Sequence, residues 1–391
     1  MKSDYYISLV LLFQMIAVVF QLLLPIFGIV DEERAATLRV LVTALTYAPA
    51  IWIVAKRNMS SIIIPFVVYV IFLLFSYVLF PESHEFIESN NVKTLTPIAI
   101  LSVIFFYNIN DFEAFKKALL LISRISPVVG LLFVWGTRNS PFLSEEFTYS
   151  MSFGYSFLLP TVYLVSQKNN IDRLLGLLLF LMVLVDGSRG PAVVIVLYYA
   201  YYIMFVSESK SRWKSIAILV VVAGLAVTYL AGTQYVENSR TISLMTSGET
   251  VSHDSGRDAI QDKVKVKIEE RPLFGWGVGA DRHFMGTYSH NIFLEVTLHY
   301  GYIGSFILFS LLFVSCARIF FSQKWAETQG GRGFFAMMFL FGFVPMLVSG
   351  SYLITFNFSL LIGYLIRFAR TYKAKKVQVV SPAVRRLGYR S

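Results

Sequence analysis

One cysteine, Cys316, is all the chain carries, so no internal disulfide can form and the redox compartment leaves no trace. Charge is scarce as well. Only 15% of the 391 residues are Asp, Glu, Lys or Arg, whereas a soluble protein of ordinary composition has about a quarter. There is no HExxH zinc signature, no internal repeat and no low-complexity linker. The missing repeat, and the lack of matching Gly/Pro-broken spans in the two halves, count against an inverted-repeat transporter. A basic balance, net +10, would suit nucleic acid, but the excess sits in short loops and in the tail from Arg367 to Arg390. Lys and Arg flanking hydrophobic spans on one side are the positive-inside signal instead, so no nucleic-acid partner is expected.

What is abundant is hydrophobicity: 56% of residues, gathered in long runs rather than at the periods of soluble helices or strands. The expected fold is therefore all-α, a polytopic membrane helix bundle of about 12 transmembrane helices. The spans fall at about Tyr5–Ile29, Leu38–Ala55, Ile62–Phe80, Leu95–Tyr107, Ala118–Trp135 and Tyr149–Val165. They continue at Ile171–Val185, Pro191–Val206, Trp213–Ala231, Tyr302–Phe321, Phe334–Ser349 and Tyr352–Phe368. The first is longer than the apolar part of a secretion signal and lacks a small-x-small cleavage site before Asp31, so it is expected to be retained.

Charge fixes an orientation. With Met1 cytoplasmic, inner loops carry Lys56/Arg57, Lys116/Lys117, Lys168/Arg173, Lys210/Arg212/Lys214 and Lys324/Arg332. Outer loops carry Asp31/Glu32/Glu33, Glu82/Glu85/Glu88 and Glu145/Glu146. The division that follows is residues 1–232 for spans 1–9 and 233–289 for one large extracytoplasmic loop containing short helices. Residues 290–370 form spans 10–12, and 371–391 a basic cytoplasmic tail.

Candidate chemistry collects on the outer side. The DGSRGP turn, Asp186 to Pro191, puts Arg189 at a tight reversal; it is either a snorkelling anchor or a group facing a cavity. In the loop, Ser255 and Asp258 resemble a capping box, Ile260, Val264 and Ile268 recur every four residues, and Pro272 ends the pattern. Alternation at 264–268 would also allow a strand, but the cap and the stop predict a helix. Arg257 then stands in its first turn, where amide donors and the dipole attract anions, or it merely pairs with Asp254 or Asp258. GWGVG, Gly275 to Gly279, lacks the third glycine and the strand–turn–helix setting of a dinucleotide site; its glycines suit tight turns against a partner surface. Asn291 suits a helix cap. His290 beside it is either structural or a base able to accept a hydroxyl proton near neutral pH, with His283 competing for that task.

Four features taken in order resemble the bacterial O-antigen ligase and O-antigen polymerase superfamily. They are Ser188-Arg189-Gly190, Gly256-Arg257, RPLFGWGVG from Arg271, and the HN-x-x-LE…G-x-x-G segment from His290 to Gly304. The resemblance is sharp over about Asp186–Gly304 and rests on hydropathy alone before that. It implies a C-type-like membrane glycosyltransferase acting on an undecaprenyl diphosphate-linked glycan at the outer face of a bacterial cytoplasmic membrane. By position, Arg189 and Arg257 would contact the donor diphosphate, and His290 would orient or deprotonate the acceptor hydroxyl. Arg271, Arg282, His283 and Asn291 complete the expected substrate-binding set. No cofactor is expected, and no metal either, since the outer loops hold no clear Asp-x-Asp pair. Expected partners are the lipid-linked donor, a glycan or lipid-linked acceptor, membrane lipids and a chain-length regulator. Polymerase is favoured over ligase, with a lipid-linked glycan flippase as a different class and a scaffold as a remote fourth.

Overall fold

The structure, a computed structural model, describes residues 2–24, 32–139, 151–185, 189–206, 257–322 and 331–370. Among these, 88% are helical and none lies in a strand. The helices are α1 (Lys2–Leu23), α2 (Glu32–Asn58), α3 (Ser60–Leu79), α4 (His84–Glu88), α5 (Asn90–Asn108) and α6 (Phe112–Asn139). Then come α7 (Met151–Val165), α8 (Asn170–Val185), α9 (Arg189–Tyr201), α10 (Arg257–Glu270), α11 (Ala280–Met285), α12 (Ile292–Phe321), α13 (Gly331–Phe343) and α14 (356–370).

Four of them are long and apolar enough to cross a membrane: Lys2–Phe20, Ser60–Leu79, Phe112–Gly136 and Ile292–Phe321. Shorter apolar helices cover Leu95–Asn108, Ser152–Val165, Gly190–Val206 and Gly331–Leu347. The expected span Trp213–Ala231 and the tail 371–391 lie outside the described residues.

α1 is central and packs along α6, touching α2, α5 and α7 as well. Its inward side chains meet a core rich in phenylalanine, with Phe105, Phe106, Phe115, Phe153, Phe157 and Phe341 shut away completely. α3 is the reverse case: Ile63, Ile64, Val67, Val68, Ile71, Leu74 and Phe75 all point away from the protein. Apolar surface of that extent is stable against lipid, not water.

α3 also separates two polar ends of the bundle by about 30 Å, at 1.5 Å rise per residue. At its N-terminal end Arg57 pairs with Asp4 at 2.5 Å and donates to the Asn108 carbonyl at 3.3 Å. Arg367 closes the same end by donating to the carbonyls of Ile109 and Asn110. At the other end lie the acidic segment 81–88 and, packed on it, α11.

Two departures from the expected spans matter for function. The span expected from Tyr302 belongs to a helix that starts at Ile292, after the expected cap Asn291, and breaks at Gly301, where φ is 65° and ψ −175°. A Cβ there would sit 2.2 Å from the Leu273 backbone, so the kink exists because segment 271–277 crosses at contact distance. The paired spans Phe334–Ser349 and Tyr352–Phe368 shorten to α13 and α14, joined by a 3₁₀ turn at Val344–Leu347 and irregular backbone over 348–355. Non-helical backbone near a membrane is sustained only where protein or a water-filled cavity covers it. Here that cover is the candidate site.

Candidate active site

Four pieces of chain are brought to the irregular strap 348–352. The guanidinium of Arg257, the first residue of α10, donates to the Val348 carbonyl at 3.0 Å. Tyr288 donates to the Ser349 carbonyl at 3.0 Å, and Tyr155 of α7 shares a 2.6 Å hydrogen bond with the Ser349 hydroxyl. The first turn of α9 arrives against the same residues: a Cβ on Gly190 would lie 2.5 Å from the Tyr155 oxygen and 3.8 Å from Val348. A side chain there would push the Tyr155 hydroxyl aside. Arg189 is its chain neighbour and is placed by its backbone alone; Asp186, Gly187, Ser188 and Ser255 lie outside the described residues.

α10 forms as the spacing predicts. Val264 and Ile268 are buried, Ile260 is half-buried beside them, and all three pack on Trp276, Ala280 and Leu298. The helix ends at Glu270, ahead of Pro272. The glycines that follow turn the chain tightly. Gly279 adopts φ 76°, and a Cβ there would overlap Phe86 at 2.2 Å, which fixes segment 81–88 against α11.

Beneath the strap is a buried charged cluster. Asp281 Oδ1 accepts from the Arg282 amide (3.1 Å) and guanidinium (2.6 Å) and lies 3.1 Å from His299 Nε2. Its Oδ2 accepts from the Ser289 amide at 3.0 Å and hydroxyl at 3.2 Å. Arg282 reaches Glu295 at 3.0 Å and Ser351 at 2.8 Å, and Glu295 also binds the Ser351 hydroxyl and the Tyr352 amide. His299 Nδ1 meets the Tyr352 hydroxyl at 2.8 Å, which donates on to Tyr300 at 2.7 Å. Burial alone would raise the Asp281 pKa, but His299 and Arg282 outweigh it and hold the carboxyl well below the usual range. Ligand atoms of Asp281, Glu295 and His299 lie within 4.8 Å of one another. The Arg282 guanidinium reaches both carboxylates, so this set already has a cation.

His290 lies near enough to this cluster and to Arg257 for Asp281, Arg282 and Arg257 to act on its charge. Its backbone takes φ 54°, the only positive value at a non-glycine among the described residues. Such conformations persist only where the surroundings over-determine them, and they gather at functional sites. Its Nδ1 is buried without a hydrogen-bond partner among the described residues, and its ring lies 4.2 Å from that of Tyr288. Burial pushes its pKa below 6.5, with Arg257 adding to the effect and Asp281 opposing it. The imidazole is neutral at physiological pH.

The remaining expected residues have partners within the fold. Asn291 caps α12, accepting from the amides of Phe293 (2.9 Å) and Leu294 (3.4 Å). Arg282 is engaged by the two carboxylates. Arg271 stacks on Trp276 at 3.9 Å and sits 3.9 Å from Glu82, and His283 sits 3.5 Å from Glu85, both at the rim. Sequence reasoning missed Asp281, Glu295, His299 and the strap Ser349–Tyr352. An Asp-Arg pair followed by a Glu four residues after a helix cap was the available signal.

No curated protein and no solved structure matches the chain. Residues 174–309 match a family model described as O-Antigen ligase, an interval holding the first turn of α9, Arg257, Arg282, the buried Asp281, Glu295 and His299, and α12 as far as residue 309, with its break at Gly301. A family of this kind, together with the apolar helices, indicates an integral membrane enzyme of glycan-ligase or polymerase type, working on lipid-linked glycans. Over this interval the chain is similar to the O-antigen ligase family, which supports a place in the O-antigen ligase and polymerase superfamily.

Proposed function

We propose that the protein joins undecaprenyl diphosphate-linked oligosaccharide units into a longer polysaccharide at the outer face of a bacterial cytoplasmic membrane. The observation that carries this reading is the convergence on one strap. Arg257 binds Val348, the turn after Arg189 packs on the same residue, and Tyr288 beside His290 binds Ser349. In this reading a hydroxyl of the acceptor sugar attacks the anomeric carbon of the donor, and the bond from that carbon to the diphosphate oxygen breaks. The hydroxyl proton passes to the neutral His290. The electron pair leaves on the diphosphate, whose growing charge the Arg189 and Arg257 guanidiniums hold through forked hydrogen bonds. Positioned base assistance is worth about 10²–10⁴-fold. Arginines then do the neutralisation that a divalent cation does in metal-dependent transferases. Arg271 extends positive charge along the rim.

A cavity of ≈ 260 Å³ adjoins the strap, lined in part by Gln14, Thr43, Ser152, Tyr155, Ser349 and Asn357. Its polar lining is amide and hydroxyl, with no ionisable acid or base other than tyrosine. That chemistry supports an uncharged sugar ring rather than a phosphate. The positive-inside pattern supports an outward-facing site, because segment 81–88 with its glutamates packs on α11. A ligase that moves a finished glycan to a lipid acceptor uses the same donor chemistry, and the description of the matched family favours it.

Purified protein incubated with defined lipid-linked repeat units separates the two. A ladder of products indicates a polymerase, and one transfer to an added lipid acceptor indicates a ligase. No transfer to either acceptor overturns the reading.

A further inference from the structure

The buried carboxylate of Asp281 takes no part in the chemistry above, yet it touches more polar groups than any other side chain around the site. We propose that Asp281 is a positioning residue, which clamps Ser289 and thereby holds His290 in the one backbone conformation that presents its imidazole to the acceptor. This rests on His290 as the base.

The clamp is made by a single oxygen. Asp281 Oδ2 accepts both the main-chain amide and the hydroxyl of Ser289, and both residues are completely buried. The next residue is His290, in the left-handed region at φ 54°. An L-residue with a Cβ resists that region, so the chain must be pinned on either side. It is pinned. Asn291, the following residue, is locked as the cap of α12, and Tyr288, two before, is tied to the strap through Ser349. Ser289 is the third pin, and among the described residues its hydroxyl is held by Asp281. Oδ1 is fixed in turn by Arg282 and by His299, which leads through Tyr352 to Tyr300.

Charge gives Asp281 a second effect. The charged and titratable groups facing His290 are Arg257 from α10, Asp281 and Arg282 from α11, and Tyr288 from its own loop. Of the first three, Asp281 alone favours the protonated ring. A neutral replacement therefore lowers the pH at which His290 gains its proton. Since transfer is lost as pH falls through that value, the acid limb of the rate profile moves to lower pH.

The test uses the full chain in nanodiscs, with histidine-labelled NMR spectra assigned by His290→Gln, beside transfer rates against pH. For Asp281→Asn the expected result is a rate lower by about 10²-fold, the cost of a misplacement of about 1 Å. Its KM for the donor stays unchanged, and both the acid limb and the His290 titration move to lower pH. Ser289→Ala, which keeps the main-chain bond, should lose about 10-fold, the lower end of what one hydrogen bond to a charged group is worth. A folded Asp281→Asn protein with the wild-type rate, or with an unmoved His290 titration, overturns the proposal. Where that variant does not insert, Ser289→Ala at the wild-type rate overturns it instead. If the titration moves but His290→Gln transfers normally, the electrostatic link to Asp281 stands and the assignment of the base is what fails.

Discussion

Two arginines that look alike in the sequence should respond to the same substitution in opposite ways. Arg282 has a side chain only 12% exposed, held between Asp281 and Glu295, which are fully buried. Arg282→Met would leave two buried carboxylates without their shared partner, and the Ser351 hydroxyl would lose its donor too. Removing one member of a buried ion pair costs about 3–5 kcal/mol, or roughly two to three and a half decades in the folding equilibrium. Arg257 is partly exposed at the start of its helix, and its bond to the Val348 carbonyl is worth about 1 kcal/mol. Arg257→Met should therefore barely shift unfolding. It should instead lower transfer by about 10²–10⁴-fold, the loss of two hydrogen bonds to a charged group at about 1.5–3 kcal/mol each. Unfolding of the detergent-solubilised protein in an SDS titration, read beside transfer from a lipid-linked donor, separates the two effects. The reasoning is refuted if Arg282→Met unfolds at the wild-type midpoint, or if Arg257→Met loses stability and activity together.

Further outcomes follow from the same geometry. Because burial and then Arg257 hold the His290 pKa below 6.5, transfer should stay constant down to that pH and fall only below it; in Arg257→Ala the fall should begin at higher pH, as rate profiles would show. Gly279→Ala puts a Cβ into Phe86 on left-handed backbone, at a cost of about 1–3 kcal/mol in the SDS titration. Asn291→Ala removes the cap of α12, costing about 1 kcal/mol of stability; a loss of transfer beyond tenfold, with the donor KM raised, would instead mean that Asn291 binds substrate directly.

Hydropathy made the helical, membrane-spanning character legible, because lipid forces backbone polar groups to pair within each segment. It also marked the local signals that depend on near neighbours: the apolar stripe Ile260, Val264 and Ile268, the stop at Pro272 and the cap at Asn291. The break at Gly301 was not legible, because it answers a crossing at Leu273, some thirty residues earlier in the chain. The strap 348–352 was hidden for a like reason: its partners Tyr155, Arg257, Arg282, Tyr288 and Glu295 come from distant segments. Arg282 shows the limit most clearly. A basic residue in a polar loop reads as free charge, and only the fold reveals two carboxylates that consume it.

The most direct measurement compares transfer by the wild-type protein with that of Arg257→Ala and His290→Ala, each reconstituted in nanodiscs with a labelled undecaprenyl diphosphate repeat unit and an acceptor. Both variants should insert and unfold like the wild type while transferring at least about 10²-fold more slowly. Wild-type product from either one would contradict the placement of the chemistry at the strap.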